Sequence, residues 1–139
     1  MDENIAQHMR DRPAERVWLV WDAAPQRDFD GVALAAGLRP LGDYWIEIDA
    51  DRAEQVLAHV LRTGLAYSDE HMPEHRARRL AREFIRSCDT DETRYATNTK
   101  GLPGNHLASW MPATDYTIDG GIVILGTSRS ACYWVADED

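Results

Sequence analysis

Cysteine is scarce in this sequence: Cys88 and Cys132 are the only two in 139 residues, far apart and in apolar surroundings. That excludes a scaffold stapled by several disulfides. One bridge between them stays open, and two buried free thiols in a reducing cytosol is the better reading. Long apolar runs are missing as well. Nothing approaches the ~18 residues that a membrane helix requires, so no span is expected. The polar opening Met1–Arg10 lacks an apolar stretch of signal-peptide length, which makes the expected location cytoplasmic. Positive charge is in deficit too. Lys100 is the single lysine, and 24 acidic side chains against 15 basic ones leave a net charge of −9. A general nucleic-acid binder needs a positive field, so nucleic acid is an unfavourable partner. A basic protein partner suits the charge better.

The composition that remains is that of an ordinary folded protein, with 44% hydrophobic and 28% charged residues. No internal repeat, low-complexity tract or Pro/Gly/Ser linker divides it, so residues 1–139 read as one globular domain. Ile5, Ala6 and Met9 suggest a short first helix before Pro13, and Val32 to Ala36 one or two helical turns. Val17-Trp18-Leu19-Val20-Trp21 reads as a strand covered on both faces. Tyr44 to Ile48 reads as a second strand, with Tyr44, Ile46 and Ile48 on one side. Asp51 and Glu54 have capping-box spacing ahead of the stripe Ala53, Val56, Leu57, Val60, Leu61, and Gly64 closes that helix as a C′ residue. A second helix runs from about Pro73 to Cys88, with Ala77, Leu80, Ala81, Phe84 and Ile85 inward. Residues 89–113 read mostly as loop around a short strand at Tyr95. Ile122–Leu125 and Ala131–Val135 then form a C-terminal β-hairpin. The expected fold is α+β: a mainly antiparallel sheet with two central helices packed on one face.

Catalytic signatures are weak. His71 and His75 are spaced i, i+4 as in helical zinc sites, but Pro73 interrupts the helix that this spacing needs, so no metal is expected. Asp89-Thr90-Asp91-Glu92 opens like a calcium loop and fails where Thr93 and Arg94 replace the required residues. Gly120-Gly121 is a turn or strand-start signal rather than a phosphate loop, and no cofactor is expected. Ser109, Ser128 and Ser130 lie outside any nucleophile-elbow pattern. An enzyme would have to build a cleft from His71, His75 or His106 with acidic residues and Cys132.

Charge is unevenly distributed. Arg76, Arg78, Arg79, Arg82 and Arg86 against Glu74 and Glu83 give the second helix +3, so the rest of the chain carries −12. That arginine face reads as an outer face paired with the protein's own carboxylates; the alternative is an adaptor or RNA contact. Among five tryptophans, Trp110 stands apart, lying in a predicted loop where it either pins the loop or anchors a partner. Asp137, Glu138 and Asp139 follow the last strand, and Asp115 and Asp119 precede the hairpin. Together these carboxylates suggest an acidic contact surface.

Three segments, Trp110-Met111-Pro112-Ala113-Thr114, Thr117-Ile118-Asp119-Gly120-Gly121-Ile122-Val123 and Tyr133-Trp134-Val135-Ala136-Asp137-Glu138-Asp139, carry a further signal. In pattern, this last third resembles small cytoplasmic immunity proteins that neutralise bacterial polymorphic or contact-dependent toxins. The resemblance implies a non-enzymatic inhibitor that binds one cognate, cytosol-acting toxin. An acidic inhibitor would meet a basic toxin faster through electrostatic steering. On this reading Trp110, Asp115, Asp119, Asp137, Glu138 and Asp139 are the candidate partner-binding residues.

Overall fold

The computed structural model describes residues 1–90, 92–105 and 109–138. Its elements run α1 (Glu3–Arg10), β1 (Arg16–Ala23), α2 (Phe29–Ala36), a single 3₁₀ turn (Gly42–Tyr44), β2 (Ile46–Ile48), α3 (Ala50–Arg62), α4 (Glu74–Cys88), β3 (Arg94–Thr97), β4 (Ile118–Leu125) and β5 (Ser130–Asp137). The strands form one antiparallel sheet in the order β1-β5-β4-β3-β2. The fold is therefore α+β, with the C-terminal hairpin β4–β5 at its centre.

Period-two alternation sorts the two central strands between two cores. Ile118, Ile122 and Ile124 of β4, with Tyr133 and Val135 of β5, meet the inner stripes of α3 and α4. Val123, Leu125, Cys132, Trp134 and Ala136 face the other way, against Phe29, Val32 and Ala33 of α2. Both strands are buried along their whole length, so neither side of the hairpin is wet. The stripe of α3 is fully buried at all five expected positions. At about 1.5–3 kcal/mol for each fully buried large aliphatic side chain, this stripe is a main source of stability. The two cysteines lie in different cores, Cys88 with the α3–α4 side and Cys132 with the α2 side, and both are free.

Several local expectations differ from the structure for physical reasons. Asp49, not Asp51, caps α3 by accepting from the Arg52 amide at 2.8 Å. Gly64 is not a left-handed C′ residue. The Asp69 carboxylate folds over the Gly64 Cα, where a Cβ would stand 2.1 Å from Oδ1, within the turn that pairs Thr63 with Glu70. Tyr44 lies in the 3₁₀ turn and is 62% exposed, because β2 begins only at Ile46. The run Val17–Trp21 does form a strand, but at the sheet edge, where only Trp18 is fully covered.

Gly120 and Gly121 lie inside β4 rather than at its start. Gly121 pairs with Trp134, and a Cβ on it would stand 2.1 Å from the Tyr133 carbonyl oxygen. The neighbour that blocks it is backbone of the paired strand and cannot yield. Gly121→Ala is expected to destabilise the fold by about 3 kcal/mol in urea unfolding, the scale of an overpacked core position.

Candidate functional site

The expected acidic surface divides into carboxylates that point inward and carboxylates that remain outside. Asp119 is 2% exposed and lies under the loop that precedes β4. Five donors converge on its side chain. They are the amides of Ala113 (3.1 Å) and Thr114 (3.0 Å), the Thr114 hydroxyl (2.7 Å), Trp134 Nε1 (3.1 Å) and Asn98 Nδ2 (3.1 Å). Burial pushes this carboxyl above its ordinary pKa, and the donors oppose that rise. Asp119, one of the expected partner contacts, is buried and ties the loop to the sheet.

Asp137 likewise points largely inward. It receives Arg12, whose side chain is wholly buried, at 2.9 and 3.2 Å, and accepts the Leu65 amide at 2.7 Å. Arg12 also donates to the carbonyls of Val60 and Thr63, so the α3 C-terminus, the N-terminal segment and β5 meet at one ion pair. Nothing in the sequence distinguished Arg12 from its exposed relatives. Glu138 is exposed and binds the amide and hydroxyl of Thr117, clasping the open end of the hairpin. Asp115 is exposed and paired with Arg39. Trp110 is half-buried against the α3–α4 core and bridges to Thr99, which pins the loop. Asp139 lies outside the described residues.

Of the described residues in the alternative enzymatic reading, His71 lines a cleft with Asp69, Asp137 and Glu138, and neither His75 nor Cys132 lines it. His71 sits before α4, 3.7 Å from Asp69, whereas His75 is exposed in the first turn of α4. His106 and Asp91 lie outside the described residues. Burial raises both thiol pKa values, that of Cys132 strongly, which opposes formation of a thiolate nucleophile. Among the described residues no group of three His, Cys, Asp or Glu side chains could hold a metal ion. No helix among them is long and apolar enough to cross a membrane.

On the arginine helix, Arg78 pairs with Glu74 at 3.8 Å, Arg82 with Glu54 at 3.4 Å, and Arg76 meets His8 Nδ1 at 2.6 Å. Three of the five arginines are thus engaged by the protein itself. Beside them a groove of about 290 Å³ opens between α3 and α4, lined by Gln55, His59, Arg62, Glu74 and Arg78.

The residues that sequence reasoning missed lie on α2 and the 3₁₀ turn. Leu34 is 59% exposed on α2, one helical turn beyond Asp30. Asp30 accepts from the Gly42 amide (3.0 Å) and from Trp45 Nε1 (2.7 Å), fastening the 3₁₀ turn to α2 on either side of Tyr44. Those two bonds hold the Asp30 carboxyl below its ordinary pKa. Leu34 on α2 and Tyr44 on the 3₁₀ turn fastened to it are both exposed, and the same two segments, together a ridge before the edge strand β2, carry Asp28, Asp30 and Asp43. Glu47, farther along, is already matched by Arg94 at 2.6 and 2.9 Å. An apolar residue in a helix and a Tyr before a strand both read as core in sequence, so only the fold could show them outside. No protein-family model, curated protein or solved structure matches this chain.

Two predictions follow from this arrangement of charge. Asp119→Ala and Asp137→Ala each orphan buried donors and should cost about 3–5 kcal/mol in urea unfolding, whereas Asp115→Ala and Glu138→Ala should cost less than about 1 kcal/mol. Equal losses in all four would contradict the inward reading. His59 Nε2 lies 2.9 Å from the Pro103 carbonyl, and burial lowers its pKa below 6.5. The fold favours neutral His59, so its contribution is complete above about pH 6.5 and is lost as pH falls below that. Stability measured from pH 7 to pH 5 should therefore decline less in His59→Gln than in the parent protein.

Proposed function

We propose that this chain is a non-enzymatic binding protein of the immunity type, which blocks a cognate basic toxin by covering its active or substrate-binding surface. The observation that carries the reading is the ridge on α2 and the 3₁₀ turn. Its two segments expose Leu34 and Tyr44 and carry Asp28, Asp30 and Asp43, which no arginine matches among the described residues. An exposed tyrosine is a common hot-spot anchor, and a polar rim around an apolar centre is the usual anatomy of an interface. The negative charge of Asp28, Asp30 and Asp43 would steer a basic partner onto those anchors and suppress wrong ones. The ridge is also held rigid by the Asp30 hydrogen bonds, so little ordering entropy opposes association. Relative to the acidic C-terminal surface expected from sequence, the docking face moves to α2. Asp115 and Glu138 remain as outer charges at most.

Co-expression with the product of the adjacent gene tests the reading. A stable complex and rescue of growth are expected. Leu34→Glu and Tyr44→Ala should weaken binding by about tenfold or more while changing stability by less than about 0.5 kcal/mol, because both side chains are exposed. Absence of a complex and of rescue would overturn the reading. Full rescue by the double variant would overturn the ridge as its surface.

A further inference from the structure

A separate cavity of about 390 Å³ opens beyond the C-terminal end of α2. Its walls include Arg16 and Trp18 of β1, Leu38 and Arg39 after α2, and Asp115 and Tyr116 of the loop before β4. We infer that this cavity binds a small organic monocarboxylate with an apolar body. Neither the sequence reading nor the proposed partner surface assigns it a role.

The first observation is an orphan donor. Trp18 is only 7% exposed, and its indole Nε1–H has no hydrogen-bond partner among the described residues. A buried indole N–H normally finds one, and leaving it unmade is costly. Gly37 lies beside that N–H. A Cβ at Gly37 would stand 3.7 Å from Trp18 Nε1, and the residue's φ of +93° suits glycine. The unused donor thus lies just beneath an apolar wall of the cavity, covered from solvent.

The second observation is charge. Arg16 and Arg39 face the cavity against Asp115, leaving one net positive charge in its walls. The Arg16 guanidinium stacks 4.7 Å over the Trp18 ring. Arg39 is held in place by its bond to the Thr114 carbonyl at 3.0 Å and by its amide on the Ala113 carbonyl at 2.9 Å. Its pair with Asp115 is exposed on both sides, and such pairs are weak, so a ligand carboxylate can displace Asp115 from the guanidinium. A monoanion neutralises the site, whereas a phosphate dianion would leave it negative in an already acidic protein.

The third observation is shape. Trp18 and Tyr116 meet edge to face with centroids 6.2 Å apart, and Leu38 and Ala113 add apolar wall. Such walls with a few convergent donors are what small-molecule sites share, and the volume falls within their usual range. The carboxylate would take the Arg39 guanidinium, with the ligand's body against the Trp18 and Tyr116 rings.

Benzoate and its neutral isostere benzamide are the probes, read on the five indole N–H signals in ¹H–¹⁵N spectra, with Trp18→Phe identifying the Trp18 signal. Benzoate should shift that signal saturably and benzamide should not. Arg39→Gln, and independently Arg16→Gln should the first variant fold poorly, should weaken benzoate binding by at least about tenfold. No saturable shift, an equal response to benzamide, or undiminished binding in a folded arginine variant would overturn the proposal.

Discussion

A single buried carboxylate organises the part of this protein that its regular elements do not. Asp119 gathers two loop amides, a hydroxyl, an indole and a carboxamide at 2.7–3.1 Å. Through them the long connection from β3 to β4 is bound down onto the α2 side of the sheet. Loops are normally unable to lie against a core because their backbone groups go unpaired. Here the carboxylate supplies the acceptors. Ala113, thus fixed, accepts from the Arg39 amide, so the same anchor positions the chain leaving α2. The ridge carrying Leu34 and Tyr44 and the cavity around Trp18 both adjoin segments held in this way.

The two inward carboxylates work from opposite faces of the sheet. Asp119 serves the α2 side, and Asp137, paired with Arg12, serves the α3–α4 side. Alternation along the strands accounts for the division. Asp119 shares its face with Val123 and Leu125, while Asp137 continues the row of Tyr133 and Val135. Removing either partner leaves the other buried and unsatisfied, so such groups confer specificity of structure more than net stability. The acidity that seemed to describe a surface is thus partly internal, and what remains outside is concentrated elsewhere.

Much of the fold was legible because it rests on periodicity. The α3 stripe, the inner face of α4 and the central hairpin follow from apolar spacing, and all three occupy the predicted segments. The candidate site was far less legible. A carboxylate near a strand end has the same local sequence whether it faces water or receives five donors, since those donors come from residues up to 21 positions away. Arg12 is likewise ordinary until the Val60 and Thr63 carbonyls, 48 and 51 residues on, surround it. Tyr44 failed in the other direction: its alternation with Ile46 and Ile48 was real, but the Asp30 bond to Gly42 holds it in a turn before the strand starts.

The central claim is that Asp119 holds the Ala113–Thr114 loop as firmly as the sheet beneath it. Amide hydrogen exchange at Ala113 and Thr114, compared with the central amides of β4, addresses this most directly. If the carboxylate is the anchor, these two loop amides exchange only through global unfolding, as slowly as the strand itself. Exchange at the rate of an open loop would contradict the account.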